Sequence, residues 1–312
     1  MDYVIVTAWR ERCWSMAITE ETAGTRDTSR PHRSLITIGM PTYNSATFVE
    51  QALAGLTSQT YRDFLVHVSD DASIDRTWDV VQRWAAKDPR FILHRQQENL
   101  GLLANFRYVL DQATSEFFMW HAYDDWIEPN FLEALVAVMA ADPNCDLACS
   151  RIVKVLPDGS MARNRDFPDF SGMSRRRRIA TMLRHPRSQW LYGLYRTSAV
   201  RRAFTFMEEF GYAWAGDFLV FLPLIMEDRV RGTNQTTFYS RMTGISSVTQ
   251  RPPDLKAQIH FTTHYLQFNA RLFRASTLSL TEKLSCGPWL MLHAGRISLD
   301  AGPLRSLLGR PR

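Results

Sequence analysis

The chain has 312 residues, 45% hydrophobic and 22% charged, an ordinary globular composition that excludes disorder throughout and suffices to bury a large core. A net charge of +5 favours anionic partners without separating a nucleotide sugar from nucleic acid or an anionic membrane surface. Cys13, Cys145, Cys149 and Cys286 lack the paired spacing of a zinc site and read as reduced, mostly buried thiols of a cytoplasmic protein.

Residues 1–33 read as a mobile extension, polar and aperiodic from Thr19 onward. Its apolar run, Tyr3 to Trp9, is broken by Arg10-Glu-Arg12 and is too short and charged for a signal peptide. From Ser34 the pattern alternates. Leu35 to Met40 is a strand, and Asn44 or Ser45 is the expected cap of a helix carrying Val49, Leu53 and Leu56. Phe64 to Val68 is a second strand ending at Ser69-Asp-Asp71, and Asp75 caps a helix with Trp78, Val81 and Ala85 on one face. Phe91 to Leu93 is a third strand, Leu102 to Ala113 a third helix, and Glu116 to His121 a fourth strand reaching Asp124-Asp125. Pro129 is placed in the first turn of a helix that runs to about Ala140. This rhythm predicts an α/β fold of three layers, α/β/α, around a mainly parallel sheet, with ligands at the carboxyl ends of the strands.

The second half is less regular. Leu147 to Leu156 is an expected strand, Ser160 to Ser174 a long loop, and Arg175 to Arg184 and Ser198 to Met207 are helices. A loop from Phe210 to Gly216 leads into Asp217 and an apolar helix, and Gln235 to Ser240 is a strand. Beyond Pro253 the chain turns helical, with Leu255, Ile259, Thr263 and Leu266 as its expected buried stripe. No apolar run approaches the roughly 18 residues needed to cross a bilayer.

Acidic tips follow the strands at Asp70-Asp71 and Asp124-Asp125. Carboxylates gathered at neighbouring strand ends repel one another unless a cation offsets them, which suits a metal-bound nucleotide diphosphate. No Gly-x-Gly-x-x-Gly sequence occurs, so a dinucleotide-binding oxidoreductase is disfavoured. Gln82-Arg-Trp84 has the wrong place and order for the acceptor motif of processive polysaccharide synthases and reads as helix surface and core.

The order Pro41-Thr-Tyr-Asn44, Ser69-Asp-Asp-Ala-Ser73, Asn99-Leu-Gly101, Tyr123-Asp-Asp125 and Gly216-Asp217 resembles the family-2 inverting glycosyltransferases. The similarity covers about residues 34–247. It implies a Rossmann-like GT-A fold over 34–250, with a nucleotide-donor half (34–126) and an acceptor half (127–250), followed by a helical region over 251–312. The resemblance further implies that Pro41, Thr42, Tyr43, Asn44, Asp71, Asn99, Gly101 and Asp124 bind a nucleotide-diphospho-sugar. Asp71 would accept from a pyrimidine base, favouring UDP- or dTDP-sugars, while Asp70 matches a structural strand-end acid. Asp125 would coordinate Mg²⁺ or Mn²⁺, although Ala122 stands where many relatives carry another acid.

Asp217 is the candidate general base, since inversion needs a carboxylate to take the proton of an attacking hydroxyl. A plain helix cap is the alternative reading of Asp217, and Glu208 and Glu209 are fallback bases. Trp214 and Tyr212 are candidate stacking surfaces for an acceptor sugar. Arg241, followed by Gly244 and Ser246-Ser247, resembles a segment that closes over the diphosphate. The run Arg175 to Arg178 reads as a solvated helix face or as a peripheral contact with an acidic membrane or a lipid-diphosphate acceptor, and the basic end from Leu304 to Arg312 is similarly ambiguous. The expected partners are the donor and a glycan, lipid-linked or protein acceptor of cell-envelope or polysaccharide synthesis, with no nucleic acid. The expected location is cytoplasmic, at most peripheral to the membrane. Two rivals are a degenerate binding relative, favoured only by Ala122, and a sugar nucleotidyltransferase, which wants a Gly-rich, lysine-bearing loop that Pro41 to Asn44 does not supply.

Overall fold

Strands and helices alternate from Ile36 onward in the structure, a computed structural model that describes residues 34–162, 164–242 and 251–301. Residues 1–33 with Cys13, the Gly244 to Ser247 segment and the basic C-terminal end lie outside the described residues. The first half runs β1 (Ile36–Thr42), α1 (Val49–Thr57), β2 (Phe64–Asp70), α2 (Thr77–Ala85), β3 (Phe91–Arg95), α3 (Leu102–Asp111) and β4 (Phe117–Trp120). Then come β5 (Trp126–Ile127), α4 (Phe131–Ala141), β6 (Leu147–Val155), α5 (Arg175–Arg184), a 3-10 turn (Ser188–Tyr192) and β7 (Leu194–Arg196). The chain continues through α6 (Thr197–Phe210), α7 (Gly216–Met226), β8 (Val230–Arg241), α8 (Leu255–Ala275) and α9 (Leu280–Ala301). Strands β5 and β7, of two and three residues, are too short to leave a period in the sequence.

One sheet collects all eight strands in the order β3-β2-β1-β4-β7-β6-β8-β5. Its β3-β2-β1-β4 half is parallel, and β7 and β5 run against their neighbours. Alternation along each strand feeds two cores. Ile36, Ile38, Met40, Phe117 and Met119 face α1, α2 and α4. Phe118, Trp120, Leu147 and Cys149 face α3 and the helices from α5 onward. The sheet therefore lies between two helical layers, as the alternation predicted. Gly39 is required by α3: a Cβ there would stand 2.6 Å from Val109 Cγ2.

Cys145, Cys149 and Cys286 are free and buried. Helix α5 has the expected bounds, and Ser174 caps it by accepting from the Arg177 N–H. Two sequence expectations need correction. Pro129 precedes the cap residue Asn130 instead of opening α4. The buried face of α8 is Phe261, Tyr265, Phe268 and Leu272, while Leu255 and Ile259 are 57% and 59% exposed. The aromatic stripe wins because it packs on Phe210 of α6. Among the described residues no helix is long and apolar enough to cross a membrane.

Candidate active site

The carboxyl ends of β1, β2 and β4 lie side by side, and the chain order reverses between β1 and β4, where a crevice opens in sheets of this type. At the tip of β1, Pro41 costs no ladder bond to β4, whose pairing has already ended at Gly39. Thr42 is buried and donates to the Ser69 carbonyl at 3.3 Å, while Tyr43 is exposed. Asn44 takes a positive φ of 45°. It does not cap α1, nor does the Ser45 side chain; the cap residue of α1 is Phe48, and no side chain caps the helix. Instead Asn44 ties two loops together: its N–H donates to Ser73 Oγ at 2.9 Å and its Oδ1 accepts from the Ile74 N–H at 3.0 Å. Asp75 sits at the start of α2 and accepts from the Thr77 and Ala46 N–H groups.

Asp70 and Asp71 have different tasks. Asp70 is fully buried, accepts from the Ser73 N–H at 3.3 Å and lies 3.5 Å from Arg95 Nε, a holding role. The Asp71 carboxylate accepts from the Leu100 N–H at 2.8 Å and the Gly101 N–H at 3.0 Å. Asn99 Oδ1 also accepts from the Gly101 N–H, and Gly101 has a φ of +84° that favours glycine. One buried acid thus gathers Asn99-Leu-Gly101 onto the end of β2. Burial raises its carboxyl above the ordinary value, against the lowering by those two amides.

Beyond β4, Asp125 is buried and Asp124 half-buried. Burial, and then the charge of Asp124, push the Asp125 carboxyl well up, opposed by the Arg241 N–H and charge. Arg241 is fixed by its own protein. Its N–H donates to Asp125 Oδ1 at 2.7 Å, its Nε donates to the Asp124 carbonyl at 3.1 Å, and its Nη2 donates to Gln51 Oε1. Its guanidinium lies 4.9 Å from the Phe48 ring and 5.2 Å from the Trp126 ring. The residue expected to reach a diphosphate therefore supports the acidic tip.

Asp217 occupies the first turn of α7, and Ala215, with a φ of 60°, is the cap residue without a side-chain bond. The plain-cap reading of Asp217 therefore fails. The dense protein around it pushes its carboxyl up to about 7 through burial, opposed only by nearby backbone N–H groups. Tyr192, at the end of the 3-10 turn, lies within the field of this carboxylate and of the acidic tip: burial raises its phenol first, then the charges of Asp125, Asp124 and Asp217. Its ring stacks on Phe238 at 5.3 Å. No sequence signal marked Tyr192.

The remaining candidates separate. Glu208 pairs with Arg107, and Glu209 pairs with Arg271 at 2.7 Å, so both fallback bases are engaged. Tyr212 packs on Phe261 and hydrogen-bonds His260 Nδ1 at 2.8 Å, which makes it part of the α8 contact. Trp214 is half-buried beneath Arg251, whose guanidinium is 4.6 Å from its ring. Gln82 and Arg83 are exposed on α2 beside half-buried Trp84. Among the described residues no three His, Cys, Asp or Glu side chains cluster as a metal cage. Asp125 and Asp124 form an oxygen-only pair, a donor set that fits Mg²⁺ or Mn²⁺ with other positions left to water and phosphate.

Residues 37–210 match the model of the family described as glycosyl transferase family 2. The chain belongs to that family. Over 95 residues it is 30% identical to the putative glycosyltransferase EpsH of Bacillus subtilis, covering 30% of this chain and 27% of EpsH. It is 31% identical over 100 residues to the glycosyltransferase GlyA of Streptococcus pneumoniae, covering 32% of this chain and 14% of GlyA. The chain thus spans about a quarter or less of the length of these curated family-2 relatives.

Solved structures share the GT-A fold at low identity. S. aureus TarS 1-349 in complex with UDP superposes with a TM-score of 0.57 at 18% identity, covering 83% of this chain and 72% of that one. The mannosyltransferase PcManGT of Pyrobaculum calidifontis, in complex with GDP-Man and Mn²⁺, gives 0.55 at 19% identity, covering 90% and 77%.

Proposed function

We propose that the chain is an inverting glycosyltransferase moving one hexose-like unit from a nucleotide-diphospho-sugar to a hydroxyl of a glycan, lipid-linked or protein acceptor. The observation that carries the reading is the placing of Asp217 in the first turn of α7, where burial pushes its carboxyl up to about 7 and where its charge acts on the Tyr192 phenol together with those of Asp125 and Asp124. A base near neutrality suits proton removal from an attacking hydroxyl. Family-2 membership supports the same reaction class. Polysaccharide or cell-envelope synthesis at the cytoplasmic side of the membrane is the setting we infer.

In this mechanism the acceptor oxygen bonds to the anomeric carbon from the face opposite the diphosphate, whose C–O bond breaks. Asp217 takes the hydroxyl proton, and the electron pair leaves with the nucleoside diphosphate. Asp125 and Asp124 would hold Mg²⁺ or Mn²⁺, which when bound neutralises charge growing on the leaving group. Pro41 to Asn44, Asp71 and the Asn99 to Gly101 turn border the nucleoside. Asp71 favours a pyrimidine, and TarS has been crystallised with UDP and with UDP-GlcNAc. Trp214 stands ahead of Asp217 on the acceptor side, and Arg241 acts by fixing the tip. Peripheral membrane contact runs through α5 and α9, where Arg176 and Arg177 are exposed and Leu280, Leu284 and Met291 are 74%, 71% and 58% exposed.

The deciding experiment measures binding and turnover over a panel of nucleotide sugars with Mn²⁺. The reading requires that Asp217→Asn abolish turnover while retaining donor binding, and that Asp125→Ala lose metal-dependent binding. No binding of any nucleotide sugar would overturn it in favour of a degenerate relative.

A further inference from the structure

A cluster of cations stands on the same edge of the sheet as the acidic tip. Lys154 of β6 pairs with Ser240 of β8, one residue before Arg241. Arg165 is bridged to Ile152, two residues before Lys154 on the same strand, and the Ala162 N–H donates to the Lys154 carbonyl at 2.8 Å. Arg187 leads into the 3-10 turn, whose Gln189 Nε2 donates to Ser240 Oγ at 3.3 Å. Three separate segments thus bring a lysine and two arginines together where β6 and β8 end.

These groups are close enough to act on one another. Burial and then the charges of Arg165 and Arg187 hold the Lys154 ammonium below its ordinary value. Burial and then Arg165 lower the Arg187 guanidinium. The cluster continues to His185, lowered by burial and by Arg187, Arg184, Arg296 and Arg165. Other arginines in the fold have acids: Arg90, Arg95, Arg107, Arg151, Arg178 and Arg231 each sit in an ion pair. Among the described residues, Lys154, Arg165 and Arg187 have no carboxylate and no side-chain hydrogen bond. The nearest acid in sequence, Asp166, is paired to Arg151 at 2.7 Å.

Lys154 and Arg187 are half-buried and Arg165 is exposed beside them; like charges so placed with no acid between them are costly, and a polyanion removes that cost by pairing with all of them at once. Two guanidiniums offer forked donors and the ammonium a compact charge, which together match phosphate oxygens. We propose that Lys154, Arg165 and Arg187 form a subsite for the phosphate or diphosphate of a phosphorylated acceptor. This assignment rests on the transferase reading, because the donor's own diphosphate belongs to the Asp124-Asp125 tip after β4. The cluster instead comes from β6 and the segments beside it, in the acceptor half.

The test titrates the full chain with inorganic pyrophosphate in EDTA, which silences any metal-held site, and separately with UDP plus Mn²⁺. Arg165→Gln, at an exposed position, and the double variant Lys154→Gln/Arg187→Gln are compared with wild type after their thermal unfolding has been matched. Loss of one charge-assisted pair should weaken pyrophosphate about tenfold with UDP unchanged. Pyrophosphate binding that is absent in wild type, or equal in all three proteins, overturns the subsite. A parallel fall in UDP affinity overturns the acceptor assignment and gives the cluster to the donor. Pyrophosphate binding stays readable if no nucleotide sugar is turned over, so the two readings fail separately.

Discussion

The main-chain N–H of Arg241, at the end of β8, donates to Asp125 Oδ1 at 2.7 Å, joining residues 116 positions apart. This bond sets one oxygen of the most buried acid at the tip, and the guanidinium between Phe48 and Trp126 holds the donor in place. Arg241→Ala keeps the N–H but loses both ring contacts and the bonds to Asp124 and Gln51. We expect about 1–2 kcal/mol of lost stability and an increase in the metal concentration needed for half-maximal activity. Arg241→Lys should not restore it, since an ammonium lacks the planar fork. Urea unfolding and metal titration read the two effects; wild-type metal dependence in Arg241→Ala would refute the supporting role.

Asp217 gives a pH prediction with a definite sign. Its carboxyl ionises at about 7 in the fold, against 3.8 ordinarily. A base must be deprotonated, so kcat/KM should rise with pH through about 7 and level off above it. Stability should move the other way. Between about 4 and 7 the folded chain holds a proton that the unfolded chain has lost, so this group's contribution falls as pH rises through that window. Asp217→Asn removes the penalty, and the inactive variant should be more stable than wild type at pH 8. An unchanged melting temperature at pH 8 would mean that the carboxylate is not strained by burial.

Asp71→Ala frees the Leu100 N–H and leaves the Gly101 N–H only its bond to Asn99 Oδ1. Each bond to a charged acceptor contributes about 1.5–3 kcal/mol, so amide hydrogen exchange at Leu100 and Gly101 should accelerate. Donor affinity should fall about tenfold or more as the turn loosens. Asp71→Asn presents one acceptor and one clashing donor, and should lie between. If exchange at both amides is unchanged, Asp71 does not hold the turn.

Much of this was legible in the sequence because it was local. Strands such as Ile36–Thr42 and helices such as Arg175–Arg184 have residues enough to show their period. The acidic tips could be found because Asp71, Asp124, Asp125 and Asp217 each follow a strand or open a helix. The missed features were those that only tertiary structure creates. Asn44 looked like a cap, but the neighbouring loop at Ser73 and Ile74 offered its groups other partners. Leu255 and Ile259 have the right spacing for a core stripe, yet the aromatic face of α8 fits Phe210 better. Arg187 and Tyr192 stand at the two ends of one 3-10 turn that lies far along the chain from Lys154 and from the acidic tip, and no motif connects them.

The run Arg175 to Arg178 divides in the structure. Arg175 pairs with Glu282 of α9 and Arg178 with Asp228, leaving Arg176 and Arg177 exposed. The pairing of Arg175 with Glu282, and the Arg184 guanidinium 4.8 Å from the Trp289 ring, lay α5 alongside α9 in the same direction. Exposed cations thus border an exposed apolar helix face that includes Leu280, Leu284 and Met291. Apolar side chains flanked by arginine suit an anionic bilayer surface better than a neutral one. The protein should co-sediment with phosphatidylcholine vesicles containing phosphatidylglycerol, and far less with phosphatidylcholine alone. Leu284→Gln/Met291→Gln should weaken binding through lost apolar contact, and Arg176→Glu/Arg177→Glu through reversed charge. Salt should weaken the wild type and not the arginine variant, because screening removes an attraction from the first and a repulsion from the second. Binding to neither vesicle, or self-association removed by the same leucine and methionine changes, would assign the face to a protein contact instead.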